Sequence, residues 1–278
     1  MTTLKIPFLK AHGAKNDFLL TPVADLPDGA PLAELARAIC DRHTGIGADG
    51  WLHVSPGGEG ADGEIRLFNA DGSVAEISGN GTRCAAAFLV HHGFQGPDVR
   101  IRTGAGLKHL CLLERAGLHF TFEMNMGTPE IRDRHFKLPL SSSPLDVTLV
   151  WVGNPQCAVP VENFDFDWRK MGAEIETNPI FPDRTNVSFF RAKGRHALEV
   201  LFFERGVGET LSSGTGSTGA VAAALSLGMV ESPVTVYTPA GPLEIRGNPD
   251  LYLSGPAEII GAGEFFCGKI KNNEHLTS

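Results

Sequence analysis

The sequence predicts an α+β fold of two pseudo-symmetric domains, each a mostly antiparallel sheet wrapped around one central helix. Three observations support this prediction: an internal repeat, an alanine-rich apolar stretch in each half, and many short strand-like segments around it. We place the domains at 1–124 and 125–263, with 264–278 as a candidate segment that returns to the first domain. The 278 residues are enough for each domain to bury a core of its own.

The internal repeat has an offset of 135 residues, close to half the chain, since Phe203 lies at that distance from Phe68. The other coincident positions are Ser78-Gly79 with Ser213-Gly214, Gly81 with Gly216, Gly93 with Gly228, and Thr103, Ala105 and Gly106 with Thr238, Ala240 and Gly241. A repeat of this length indicates the duplication of a whole domain and not a solenoid of short units.

Both halves have the same local order of elements. An apolar or alternating segment, 64–68 or 197–203, predicts a strand and is followed by a glycine-bearing turn. A Ser-Gly-x-Gly corner comes next, and then an alanine-rich run that predicts a tightly packed helix. That helix is expected to end before Gly93 or Gly228, in the position that favours glycine.

The remaining elements follow from the same patterns. Further helices are predicted at 31–42, where Pro31 stands near the start, and near 166–175. The further predicted strands are 98–103, 107–114, 118–124, 147–152, 233–238, 242–246 and 251–254.

The two Ser-Gly-x-Gly corners admit a structural and a functional interpretation. A serine before a helix is a common N-cap, because its oxygen accepts a hydrogen bond from an amide of the first turn. The glycines also let backbone amides approach a ligand, and the helix dipole favours an anion there. Two corners facing one cleft can hold a small carboxylate with a side chain on either side of it. That arrangement suits racemisation or epimerisation, which needs two opposed groups at one carbon.

Composition limits the class of partner. The net charge of −8 argues against nucleic acid or an anionic membrane surface. No run of 18 apolar residues occurs, and the segment MTTLKIPFLK lacks the apolar stretch of a signal peptide. The five cysteines are scattered without a CxxC pair, which is typical of reduced cytosolic thiols. We therefore expect a cytoplasmic protein with neither a disulfide framework nor a metal site.

Six motifs occur in order along nearly the whole chain: HGAKNDF (12–18), DRHTGIGADG (41–50), FNADGSVAEISGNGTRCAA (68–86), VGNP (152–155), FPDRTNV (181–187) and ERGVGETLSSGTG (204–216). Together they resemble the motifs of the diaminopimelate epimerases, within the proline-racemase-like superfamily. The resemblance implies an isomerase that uses no pyridoxal phosphate, other cofactor or metal, and it implies a homodimer. It also implies that two bases interconvert LL- and meso-diaminopimelate, for lysine and peptidoglycan synthesis, and that a strand near 257–266 returns to the first domain.

The resemblance also assigns the residues that hold the substrate. They are Asn16, Asn69, Gly79, Asn80, Asn154, Asn186, Glu204, Arg205, Gly214 and Thr215. Arg205 can pair through two N–H groups with a distal carboxylate, and oxygens of Glu204 and the asparagines can accept from ammonium groups. The structural alternative is turn formation for Asn69 and Asn186, and a solvated surface position for Arg205.

Three residues depart from the pattern of the family, and all three concern proton transfer. Ser78 and Ser213 stand where the family has its two cysteine bases, and Gln156 stands where a histidine usually follows the GNP motif. A helix N-terminus can lower the pKa of a cysteine into a working range, but a serine hydroxyl is far less acidic. Serine therefore needs a neighbouring general base.

The candidates for that base are Glu76, Glu204, Glu209, Asp71 and His12. We assign Ser78, Ser213 and Glu204 as the catalytic residues.

Four interpretations of the serines remain open. The protein is an epimerase with activated serines, an engineered Cys-to-Ser form that holds a substrate, a related amino-acid racemase or hydroxyproline lyase, or a catalytically silent amino-acid-binding protein. The retained asparagines and Arg205 favour a diaminopimelate-like ligand in the first, second and fourth interpretations. An engineered pair does not explain Gln156 or the doublet Ser212-Ser213. We favour the first interpretation.

Overall fold

A computed structural model describes residues 4–267, and this part of the chain contains four α-helices, one short 3-10 helix at Val23–Asp25 and 17 strands. The helices are α1 (Leu32–Cys40), α2 (Gly79–His91), α3 (Trp168–Glu176) and α4 (Gly214–Ser226). The strands are β1 (Leu4–Gly13), β2 (Asn16–Pro22), β3 (Gly50–Pro56), β4 (Gly63–Asn69), β5 (Val74–Ala75), β6 (Asp98–Thr103), β7 (Gly106–Ala116), β8 (His119–Gly127), β9 (Glu130–Leu138), β10 (Leu145–Trp151), β11 (Pro155–Pro160), β12 (Asn186–Gly194), β13 (Ala197–Glu204), β14 (Gly208–Thr210), β15 (Val234–Thr238), β16 (Gly241–Arg246) and β17 (Leu251–Cys267).

Eight strands form a closed ring of pairings around α2. The order is β1, β2, β3, β4, β6, β7, β8 and β17, and β17 pairs back with β1. The pairs β2–β3 and β4–β6 are parallel, and the other pairs are antiparallel. This ring confirms the predicted sheet wrapped around a central helix.

The second half repeats this arrangement around α4. The pairings run through β9, β10, β11, β12, β13, β15, β16 and β17, and β17 also pairs with β8, from which β9 continues. The parallel pairs β11–β12 and β13–β15 recur at the places equivalent to those of the first ring. The predicted pseudo-symmetry is therefore confirmed.

Both central helices are buried on nearly all sides, because small residues let the surrounding strands approach. The fully buried residues at their centres are Cys84, Ala85, Ala86 and Ala87 in α2, and Ala220, Val221, Ala223 and Ala224 in α4. A helix that is apolar all round belongs in a core. None of the helices in residues 4–267 is long and apolar enough to span a membrane.

Two amphipathic helices cover the outside of the rings. Leu35 and Ile39 of α1 belong to one core cluster with Trp51 of β3, and Ile175 of α3 belongs to another with Phe189 of β12. These helices lie over the parallel pairs β2–β3 and β11–β12, whose strands are thereby buried on both faces.

Both central helices end at the predicted glycines. Gly93 has φ +100° and Gly228 has φ +68°, a conformation that glycine adopts without a steric penalty. The N–H of Phe94 donates to the carbonyl of Leu89 at 3.0 Å, and the equivalent bond after α4 measures 2.9 Å. These bonds satisfy carbonyls that the helix end would otherwise leave unpaired.

The C-terminal strand differs from the prediction of separate segments at 251–254 and 257–266. It is one strand of 17 residues that pairs with β16 up to Ser254 and with β1 from Glu258 onwards. Gly255 and Pro256, which disfavour strands, lie between these two partners and break the sequence pattern there. The predicted return towards the N-terminal strands is therefore present as far as Cys267, and 268–278 lies outside the described residues. The domain boundaries stay a prediction, since both fall inside strands that the rings share.

Candidate active site

The two serine corners meet where the first residues of α2 and α4 approach each other. A Cβ atom built on Gly79 would lie 3.8 Å from the Cα of Gly214, and one built on Gly214 would lie 3.8 Å from the Cα of Gly79. The N-termini of α2 and α4 therefore point into one space. Because each N-terminus carries partial positive charge, the pair favours an anion between them.

Both serines cap the helices that follow them. The Oγ of Ser78 accepts a hydrogen bond from the N–H of Gly81 at 3.1 Å, and the Oγ of Ser213 accepts one from Gly216 at 3.0 Å. The capping interpretation is thus confirmed for both corners. It does not exclude chemistry, since a hydroxyl that accepts one bond can still donate its proton elsewhere.

Glu204 is a carboxylate that interacts with the hydroxyl of one of these serines, Ser213. It lies at the end of β13, and burial raises the pKa of its carboxyl above the ordinary value. An interaction with the hydroxyl of Ser213 opposes part of that rise. When a half-buried carboxylate lies beside a capping hydroxyl, the hydroxyl can pass its proton to the carboxylate.

The Ser78 corner has no such partner among the described residues. The position in β4 that is equivalent to Glu204 holds Asn69, whose Nδ2 donates to the Oγ of Ser73 at 2.9 Å. The other candidate bases form no described hydrogen bond with either serine. Three of them are engaged elsewhere: Glu209 with Arg169, Asp71 with Ser73, and His12 with Glu258.

Asn16 and Asn80 contact each other at the first corner. The Nδ2 of Asn80 donates to the Oδ1 of Asn16 at 3.2 Å, and the Nδ2 of Asn16 donates to Asp49 at 2.7 Å. Just before Asn16, Ala14 and Lys15 have φ of +49° and +63°. A left-handed conformation costs a non-glycine residue about 1–2 kcal/mol of stability. Contacts with the surrounding chain therefore hold the turn that positions Asn16.

The second corner repeats this contact with other residue types. The Nδ2 of Asn154 lies 3.5 Å from the Oγ1 of Thr215, and its Oδ1 accepts a hydrogen bond from Gln156 at 2.7 Å. Gln156 is buried, and its amide does not titrate. Through this bond the Gln156 side chain orients Asn154.

Asn186 and Arg205 lie together beside Glu204. The Nδ2 of Asn186 donates to the carbonyl of Pro155 at 3.0 Å, and its Oδ1 accepts from the N–H of Arg205 at 3.1 Å. The Arg205 side chain is exposed and donates to the carbonyl of Asp183 at 3.2 Å. Asn186 therefore supports the turn that carries Arg205, and the guanidinium is open to a ligand.

A cavity of about 260 Å³ adjoins the corners between the two halves. It is lined by Glu76, Ile77, Ala105, Lys108, Met124, Asn125, Met126, Val152, Gly153, Asn154 and Thr215. Burial lowers the pKa of Lys108, which was not among the predicted site residues and lies in no motif. Asp49 and Arg83 were also missed, although both stand inside the quoted motifs.

No cysteine of the described part lies at either corner. The nearest in sequence, Cys84, is fully buried in α2, and burial raises the pKa of its thiol to about 12. Its thiol is therefore protonated at neutral pH and does not act as a base at either corner. The described residues also contain no group of three or more His, Cys, Asp or Glu side chains arranged to hold a metal ion.

Comparisons with known proteins identify the family of this chain. The profile of the family described as diaminopimelate epimerase matches residues 8–131 and 148–260. The chain is 34% identical over 279 residues to diaminopimelate epimerase of Halothermothrix orenii, covering 94% of this chain and 98% of that relative. It is 37% identical over 282 residues to the enzyme of the same name from Synechococcus sp., covering 93% and 98%.

Among solved structures, a hydroxyproline epimerase from Agrobacterium vitis with bound trans-4-hydroxy-L-proline has a TM-score of 0.75 at 15% identity, covering 95% of this chain and 93% of that one. A methylitaconate-delta-isomerase has a TM-score of 0.70 at 15% identity, covering 99% and 100%. These two likenesses concern the fold. From the family profile and the curated relatives, the chain belongs to the diaminopimelate epimerase family and is an isomerase of that type.

Proposed function

We propose that this protein is a cofactor-independent epimerase that interconverts LL- and meso-diaminopimelate through serines where the family has cysteines. The observation that carries the proposal is the meeting of two serine-capped helix N-termini, with Glu204 beside one serine. The α-carboxylate of the substrate binds the amides of both helices, which leaves the α-carbon between Ser78 and Ser213.

Proton transfer then uses the two corners unequally. In one direction, Ser213 accepts the α-proton while its own proton passes to Glu204, and the resulting carbanion is delocalised into the carboxylate that the helix amides hold. Ser78 donates its proton to the opposite face of the carbon. Afterwards Glu204 releases its proton to solvent, and Ser78 regains one from solvent. The reverse direction uses the same steps backwards.

Recognition of the second amino-acid centre involves residues at the mouth of the site. The exposed guanidinium of Arg205 pairs with the distal carboxylate, and asparagine carbonyls accept from the distal ammonium group. Asn16 contacts Asn80, the second residue of α2, and Asn154 contacts Thr215, the second residue of α4.

A second candidate function is a catalytically silent protein that binds diaminopimelate. The specific observation in its favour is that the Ser78 hydroxyl has no carboxylate or imidazole partner among the described residues. The corner could then hold a ligand but would deliver a proton slowly.

The experiment that separates the two functions follows the α-proton of LL-diaminopimelate in D2O by NMR. The proposal predicts loss of the α-proton signal with the wild-type protein and no loss with Ser213→Ala. Ser78→Cys/Ser213→Cys serves as a thiol reference. If only this double variant exchanges the proton, the site binds diaminopimelate but the serines have silenced it. If neither protein binds or exchanges, the substrate assignment is wrong.

We also propose a homodimer in the cytoplasm, which rests on the family resemblance and the thiol pattern. Light scattering after size-exclusion chromatography measures the assembly directly. A mass near 29.7 kDa would contradict the dimer.

A further inference from the structure

Arg83 is a buried cation with an unusual set of partners. Its side chain is 0% exposed, its Nε donates to the carbonyl of Pro256 at 3.2 Å, and one Nη donates to the Oδ1 of Asn80. The other Nη has no hydrogen-bond partner, and no ion pair with a carboxylate is found in the described part of the chain. Burial lowers the pKa of Arg83 to about 10, so the guanidinium stays charged at neutral pH.

A buried charge without a counter-charge opposes folding, because desolvation is not repaid by an ion pair. The surrounding chain nevertheless leaves room for it. A Cβ on Gly255 would lie 3.0 Å from the Cζ of Arg83, closer than an ordinary contact, so the absence of a side chain at Gly255 accommodates the guanidinium. The Arg83 guanidinium opposes folding, and yet the chain leaves a space that fits it beside Gly255. This combination indicates that Arg83 has a function other than stability.

The repeat shows that this charge belongs to one corner only. The position 135 residues later is Thr218, a neutral residue whose hydroxyl donates to the carbonyl of Gly214 at 2.8 Å. Conversely, the carboxylate of Glu204 has the neutral Asn69 as its counterpart. The Ser78 corner therefore carries an added positive charge, and the Ser213 corner carries a carboxylate.

Resting on the proposed function, we propose that Arg83 is a positioning residue for the α-carboxylate of the substrate. Arg83 lies one helical turn after Asn80 and bonds its side chain, which fixes the turn whose amides at Gly79 and Asn80 face the meeting point. The bond between Asn80 and Asn16 extends this link to the opposite wall of the corner. The charge of Arg83 adds to the helix dipole, so the anion is held more firmly at this corner than at the other.

The test compares ligand affinity with stability in Arg83→Met, Arg83→Lys and a matched control, Thr218→Val, which changes the equivalent buried position of α4. Two probes are titrated: LL-diaminopimelate by calorimetry, and inorganic sulfate by the amide NMR signals of Gly79 and Asn80. We expect Arg83→Met to weaken both probes by about tenfold to a hundredfold while its Tm is kept or raised. Arg83→Lys should recover part of the affinity, and Thr218→Val should not weaken sulfate at Gly79 and Asn80.

Unchanged affinity in a folded Arg83→Met protein would overturn the proposal. The proposal would also be overturned if affinity for the probes fell in proportion to Tm in both Arg83→Met and Thr218→Val, because a general loss of stability would then explain the weaker binding. If Arg83→Met does not fold, Gly255→Ala decides instead: it keeps the charge but displaces the guanidinium, and unchanged sulfate affinity would overturn the proposal. Failure of the wild-type protein to bind LL-diaminopimelate contradicts the proposed function alone, because the sulfate titration still tests Arg83.

Discussion

At the residue scale, the proposed chemistry requires a serine hydroxyl to take the part that the resemblance assigns to a thiol. A serine hydroxyl needs a base, and Glu204 is the described carboxylate that interacts with a corner serine. Its half-buried position has two opposing effects. It makes the carboxylate harder to ionise, and it makes the ionised form a stronger base, which suits abstraction of a weakly acidic proton.

The first prediction concerns Glu204→Gln. Removal of the base is expected to lower α-proton exchange at pH 8 by about a hundredfold or more, measured by NMR in D2O. In the wild-type protein the base must be ionised, so exchange should rise with pH through the raised pKa of Glu204 and level off above it. That rise is expected to disappear in the variant.

Glu209→Gln is the matched control for this change. Glu209 lies five residues away, is exposed and pairs with Arg169 at 2.6 Å, without contact to either serine. Its exchange rate and pH profile should resemble those of the wild-type protein. An equal loss in both variants would mean that net charge, and not a specific base, controls the rate.

The second prediction separates the structural from the chemical role of the serines. Ser78→Ala and Ser213→Ala each remove one N-cap, which is expected to cost about 1 kcal/mol and lower Tm by about 2–4 °C. Calorimetry measures this loss. Exchange should fall far more than so small a change in stability explains, and a Tm drop without any loss of exchange would show that the serines only cap.

At the element scale, the decisive feature is the contact between two helix N-termini. Gly79→Ala would place a methyl group 3.5 Å from Met124, an ordinary contact, whereas Gly216→Ala would place one 2.8 Å from Phe202. We therefore expect Gly79→Ala to change Tm by less than about 2 °C but to weaken substrate binding, since its methyl enters the carboxylate space. Gly216→Ala should lose about 1–3 kcal/mol of stability through overpacking. Similar stability losses in both would contradict this assignment of the space.

Several strands could not be predicted, for reasons visible in the structure. The parallel strands β2, β3, β11 and β12 are buried on both faces, so they lack the alternation that identifies a half-buried strand. In contrast β9 is mostly exposed and reads as a polar segment. The half-buried strands were predictable from the alternation of apolar and polar residues. Both central helices were predictable because Gly93 and Gly228 mark their ends.

At the scale of the whole molecule, the candidate site was predictable in part. The sequence repeat predicted that the equivalent corners at Ser78 and Ser213 face one cleft. In the structure the two corners lie next to each other. Lys108 was not predictable as a lining residue of the cavity, because it lies in no motif. Asp49 and Arg83 lie inside the quoted motifs, but their bonds to Asn16 and Asn80 required coordinates. The capping bonds also required coordinates, since a serine before a helix is compatible with either role.

Another prediction at this scale concerns acid stability. His53 is 2% exposed between Trp51 and Phe68, and burial lowers its pKa to about 4. The unfolded chain binds a proton near pH 6.5 and the folded chain only near 4, so the free energy of unfolding should fall as the pH drops between these values. The expected loss reaches about 3 kcal/mol by pH 4, measured by urea unfolding. In His53→Phe this part of the pH dependence should be absent, and an unchanged slope would assign it to other groups.

The most direct test of serine-based epimerisation is α-proton exchange by the wild-type protein with LL-diaminopimelate in D2O. We expect that the signal of the α-proton disappears, that meso-diaminopimelate forms, and that Ser213→Ala and Glu204→Gln each suppress both events. Binding of the substrate without exchange, together with exchange by Ser78→Cys/Ser213→Cys, would contradict a serine-based epimerase.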